Sequence, residues 1–309
     1  MNLTQDNINA FLDKYILFVD EISKKFRYDD NIRHILYVIV PAFISQYGVS
    51  NEAFILKCFR EIKIYASGNS NSLVTATFNR SLQRMDGNYF TEKYIVINNY
   101  GSISIPVLMD NIIHEFNHAV NSINNEISYD EKIIKVRTGI STIIYDKKSL
   151  KYIKKSDEEA LEEILNTVQT EELINKINSF SKFSIQNSEL SNMLYNLKFE
   201  IPEDGYKSNA YSYHKYICNE LVNNKTFTPT INNLRFKGFI EDIPNLFDTV
   251  IGRDGSYQKL NKLLTEIHEL VLKYSKSKLF KERLLNKIKS KASEVTDLIK
   301  EYDVKCIYK

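Results

Sequence analysis

The stretch Pro106–Asn121, PVLMDNIIHEFNHAVN, decides how the rest of the chain is read. Residues four apart on a helix lie on one face, so a helix here places His114 and His118 side by side. Ile112, Phe116, Ala119, Val120 and Ile123 fall on the opposite face, as a helix with one buried side requires. Pro106 suits a first helical turn, where its missing N–H costs nothing. Two imidazoles one turn apart can hold a single metal ion. Glu115, one step around, is placed to take a proton from a water that the ion activates. The spacing predicts a Zn2+ site on His114 and His118 with Glu115 as general base.

Working outward, the residues before this helix change character at Glu61. Upstream, Ile8, Phe11, Leu12, Tyr15, Ile16 and Val19 recur at helical spacing, and a second helical run covers Asn31 to Tyr47. Downstream, Ile62, Ile64 and Tyr65 alternate. After the loop SGNSNS, the segments LVTATFNRS and YFTEKYIVINNYG read as strands about an Asp86-Gly87-Asn88 turn. Residues 131–145, EKIIKVRTGISTIIY, look extended, with Gly139 a bulge or a close approach. From Ser156 the pattern is helical, over 156–178, 186–197, 209–223, 257–275 and 279–302, with loops at Pro202-Glu203-Asp204-Gly205 and Gly252-Arg253-Asp254-Gly255. The expected class is α+β, with three segments: an N-terminal helical segment over 1–60, a catalytic lobe over 61–178 and a helical lobe over 179–309.

Forty-one basic and thirty-nine acidic side chains nearly cancel, which argues against a dedicated nucleic-acid binder. Three scattered cysteines, Cys58, Cys218 and Cys306, give no disulfide framework. The first twenty residues carry Asp6, Asp13 and Asp20 and lack the basic region of a signal peptide, so none is expected, and no apolar run reaches membrane-spanning length. The expected compartment is the cytoplasm.

A catalytic zinc normally has three protein ligands and one open position. The HExxHxxGxxH extension is absent, because positions 121 and 124 are both Asn. The cysteine-containing segment of peptide deformylases is absent too, since Cys58 sits in LKCFRE. A carboxylate remains, and SDEEALEEILNTVQTEE supplies candidates. Its buried stripe is Ala160, Leu161, Ile164, Leu165 and Val168, and Glu159 and Glu163 project away from it.

Here the chain resembles the gluzincins, the thermolysin-like zinc peptidases. In that class a second helix carries a ligand glutamate, followed four residues later by an acid that hydrogen-bonds a ligand histidine. The resemblance implies that Glu159 is the ligand and Glu163 the acid that orients a histidine; Glu158, Glu162 and Glu163 are the alternative ligands. It also implies a zincin-like fold, a small, mainly antiparallel sheet beside the active-site helix, followed by the mostly helical C-terminal lobe. Residues 90–175 also resemble uncharacterised HExxH proteins of low-GC Gram-positive bacteria, with an arginine–glycine strand, here Arg137-Thr138-Gly139, between the two helices. His118 and Glu159 lie 41 positions apart, more than in thermolysin, which predicts an inserted hairpin.

Thermolysin-like enzymes stabilise the developing oxyanion with a tyrosine and a histidine, and GYKSNAYSYHKY offers Tyr211 and His214 for that role. His214 shares a helical face with Ala210, Ile217 and Leu221, so a buried, backbone-bonded histidine is an equal reading. A peptide or protein substrate is expected to add as a strand along an exposed edge at Tyr94–Asn98. Two other functions remain open: a helical binding protein with a structural or vestigial metal site, and a zinc hydrolase of a non-peptide amide. Between Lys273 and Lys291 a basic amphipathic helix reads as a solvated face, with an acidic partner or anionic lipid as the alternative.

Overall fold

The computed structural model describes residues 5–68, 75–224, 227–251, 253–277 and 279–307. The last four residues of SGNSNS, Leu73 and Val74 of the strand read at 73–81, Gly252 and the Cys306 side chain lie outside that description. The chain is α+β, as its patterns predict. Helices α1 (Gln5–Asp13), α2 (Ile16–Phe26), α3 (Asp30–Tyr47) and α4 (Glu52–Glu61) come first. The single stripe from Ile8 to Val19 is therefore split at Lys14–Tyr15. Strands β1 (Lys63–Ala66), β2 (Ala76–Met85) and β3 (Asn88–Ile97) lead into α5 (Ile105–Val120).

Strands β4 (Ile127–Tyr129), β5 (Ile133–Thr138), β6 (Ser141–Asp146) and β7 (Tyr152–Lys155) follow, filling the stretch where an inserted hairpin was expected. The rest is helical: α6 (Glu159–Ser179), α7 (Ser188–Glu200), α8 (Ser212–Ile217), α9 (Asn219–Val222), α10 (Phe227–Lys237), α11 (Asp242–Ile251), α12 (Ser256–Lys276) and α13 (Lys281–Ile307). No single helix among the described residues is long and apolar enough to cross a membrane.

Two compact units interleave along the chain: Met1–Val120 with Gln169–Ser208, and Asn121–Val168 with Asn209–Lys309. Helix α6 has its first ten residues in the second unit and the remainder in the first.

In the first unit the sheet order is β1-β3-β2, with β3 parallel to β1 and antiparallel to β2. Asp86 and Gly87 both have positive φ, the backbone that a two-residue hairpin of right-handed twist needs. The central position of β3 corrects one expectation. Tyr94–Ile97 is paired with Lys63–Ala66 on one side and Ala76–Asn79 on the other, so its backbone has no open edge for a substrate strand. Alternation identifies a strand but not its neighbours, which depend on a crossover distant in sequence. The core of this unit is built from the apolar face of α3, Ile55 and Phe59 of α4, Ile95 and Ile97 of β3, and the buried face of α5. Phe116 stacks on Phe59 with ring centroids 4.1 Å apart.

In the second unit β4-β5-β6-β7 form an antiparallel sheet. The stretch read as extended over 131–145 is a hairpin that turns at Gly139-Ile140. Its core gathers Leu161, Ile164 and Leu165 of α6 with Phe227, Ile231, Phe247, Leu260, Leu264, Val295 and Leu298. Each such side chain contributes roughly 1.5–3 kcal/mol through burial. Cys218 is buried in the same core and Cys58 in that of the first unit.

Candidate metal centre

Helix α5 is buried along nearly its whole length, so its polar residues must be held by partners rather than by water. Asn117 donates to the Thr170 hydroxyl on the C-terminal half of α6 (3.2 Å) and accepts from Tyr47 on α3 (3.4 Å). Asn111 accepts from Thr75 (2.9 Å). These contacts fix the rotation of α5 about its axis and hence the direction in which His114 and His118 point. The two imidazoles lie edge to face, with centroids 5.0 Å apart, as residues one turn apart should.

His114, His118 and Glu163 each offer a ligand atom, and these atoms all lie within 4.8 Å of one another. No other group of three or more His, Cys, Asp or Glu side chains among the described residues meets that condition. Two imidazole nitrogens and one carboxylate oxygen are a donor set that suits zinc and leaves its fourth position open. The side chains present therefore fit the ion that the HExxH spacing implies. Glu115 is buried on the same helix, next to His114.

The carboxylate gathered with the two histidines is Glu163, where the gluzincin resemblance implies Glu159. Glu159 is exposed and paired with Lys155. Glu163 takes the place expected of Glu159. The two glutamates lie on one face, one turn apart, and periodicity fixes a face without fixing the level along the axis. Glu162, a further alternative, is buried and faces Arg235, which donates to it through Nε at 3.0 Å and through a terminal nitrogen at 2.5 Å. The residue four past Glu163 is Thr167, whose hydroxyl donates to the Glu163 carbonyl at 2.8 Å. No acid occupies that position, a departure from the gluzincin pattern.

Asp110 is a polar neighbour that spacing could have flagged, since it precedes His114 by one turn on the same stripe. Its carboxylate accepts from the Tyr206 hydroxyl (2.8 Å) and the Ser208 hydroxyl (2.7 Å). The Ser208 backbone N–H donates to Glu171 (2.7 Å). Burial raises the Asp110 pKa above the usual carboxylate range, against the pull of Ser208, Tyr206 and His114. Tyr206 belongs to the aromatic segment that suggested oxyanion donors, and its hydroxyl is committed to Asp110.

His214 and Tyr211 form a ring cluster with His268 inside the second unit. Tyr211 stacks on His268 (5.7 Å), and His214 lies 5.8 Å from Tyr211 and 5.4 Å from His268. Burial, with the neighbouring His268, pushes the His214 pKa down to about 4, so its imidazole is neutral at neutral pH. A neutral imidazole can still donate one hydrogen bond. His214 is not one of the three side chains gathered as metal ligands. His268 is thus packed against the candidate donor pair. Comparison of the chain with protein-family models, with curated proteins and with solved structures gives no match.

Proposed function

We propose that this chain is a cytoplasmic zinc-dependent peptidase, acting on a peptide or protein substrate by a gluzincin-like arrangement. The observation that supports it is the gathering of His114, His118 and Glu163, with Glu115 adjacent on the same helix. Zinc held there would act as a Lewis acid and lower the pKa of water to about 7. His114 and His118 supply neutral nitrogens, and Glu163 supplies one negative charge. Glu115 takes the proton from the attacking water and passes it to the departing amine. Tyr211 and His214 are the proposed donors to the oxyanion, and nucleic acid is no partner in this reading.

Zinc affinity by chelator competition tests the ligand set. Glu163→Ala should weaken binding by more than about 100-fold, beyond the range typical of residues that only orient a ligand. Glu159→Ala should stay within about twofold of the parent, because an exposed pair with lysine contributes little. A larger loss from Glu159→Ala than from Glu163→Ala counts against the triad. An unbiased peptide library then tests the reaction. Stoichiometric zinc without cleavage of peptides or other amides would replace the peptidase with a structural metal site.

A further inference from the structure

The turn between α12 and α13 carries a feature that a hydrolase does not use. Both helices bury one face in the second unit's core, α12 through Leu260, Leu264 and Ile267, and α13 through Ile288, Val295 and Leu298. Where they meet, Leu279 and Phe280 stand 71% and 73% exposed. Phe280 also has φ +61, in the left-handed region that a bulky side chain rarely adopts. Holding an aromatic there costs of order 1 kcal/mol, with no burial to offset it. Lys273 and Lys276 at the end of α12, and Lys281, Arg283, Lys287 and Lys289 on the first turns of α13, flank this tip along the chain as exposed cations. Glu282 is the acid within that run, and Glu269 pairs with Lys273 at 3.5 Å. A shallow groove of about 500 Å³, lined by Glu282, Arg283, Asn286, Lys287 and Ser290, opens on α13 beside it.

We infer that this tip docks the protein on a membrane surface carrying anionic phospholipid headgroups. Two adjacent apolar side chains on a turn, flanked on both helices by lysines and an arginine, match an interface with hydrocarbon below and negative charge above. Leu279 and Phe280 enter the boundary between headgroups and acyl chains, while the cations meet the phosphates. A duplex nucleic acid would satisfy the cations but gives no apolar medium to both Leu279 and Phe280. A protein partner would be expected to meet a flat or grooved apolar face rather than a two-residue tip. The surface is independent of the metal centre's chemistry.

The full chain is tested by co-sedimentation with phosphatidylcholine vesicles, with and without phosphatidylserine. Binding is expected only to the anionic vesicles, weakening as salt is raised. Leu279→Ala with Phe280→Ala should weaken it at least tenfold at unchanged melting temperature, because both side chains are exposed. Lys281→Ala should cost roughly fivefold. The chain has no tryptophan, so Phe280→Trp supplies a single emission reporter, expected to shift to the blue on anionic vesicles. The inference is overturned by absent binding, by an unshifted emission, or by vesicle binding indifferent to Leu279 and Phe280. Duplex oligonucleotide binding tighter than vesicle binding, and equally indifferent, overturns it as well.

Discussion

Glu115→Gln is expected to lose peptide hydrolysis by at least about 10²-fold while keeping its zinc. Glutamine preserves the length and shape of a buried side chain, so α5 keeps its packing and His114 and His118 keep their direction. What disappears is a carboxylate able to accept a proton, and positioned general bases are worth roughly 10²–10⁴-fold in rate. Zinc stoichiometry by elemental analysis and turnover on a cleaved library peptide measure the two halves separately. Equal activity in variant and parent removes Glu115 from the reaction. Loss of both zinc and activity would mean that Glu115 holds the ion or the fold instead, and would leave the base unassigned.

How far the sequence anticipated this site depends on which physical signal each residue carries. His114 and His118 were legible because the metal-binding spacing coincides with the helical repeat and with a clean apolar stripe on the other face. Helix α5 accordingly ends within a residue of its expected bound. The face of α6 was legible for the same reason, since Ala160, Leu161, Ile164, Leu165 and Val168 are all buried. The level along α6 was not. Glu159 and Glu163 share one face a turn apart, so the helical period alone cannot choose between them. Gluzincin order points to the earlier glutamate, whereas the later one offers the oxygen within 4.8 Å of the histidine ligand atoms.

Strands show the same division. The Asp86-Gly87 hairpin was readable because its turn chemistry is local. That β3 lies between two strands depends on the parallel partner β1, contributed by a separate stretch of chain. Helices α10 and α11 escaped notice because each is short and carries a proline near its start, Pro229 and Pro244, which reads as a break. Arg235, in LRFK on α10, looks like any surface arginine, and nothing local marks it as fully buried.

That arginine carries the second large effect. Arg235 and Glu162 form a buried pair, with Asn166 accepting from Arg235 at 2.9 Å and the Ile140 backbone N–H donating to Glu162 at 2.8 Å. Arg137 joins this network through backbone carbonyls, donating to Asn121 (2.7 Å), Gly139 (2.5 Å) and Arg235 (3.0 Å). Removing one partner strands the other charge in the core, so Arg235→Ala or Glu162→Ala should destabilise the fold by about 3–5 kcal/mol. Replacing both, as Glu162→Met with Arg235→Met, should recover much of that loss, because apolar side chains of similar size avoid the desolvation of two ions. Gly139 explains why the hairpin must turn on glycine. Its φ is +57, and a Cβ there would lie 2.0 Å from a Glu162 oxygen that Arg235 and Ile140 hold in place. Gly139→Ala should therefore approach the single charge removals in cost, far above the roughly 1 kcal/mol of an unstrained exchange. Urea unfolding of the four variants measures the series. Single-site losses below about 0.5 kcal/mol would mean that water reaches the pair and that Glu162 does not anchor the start of α6.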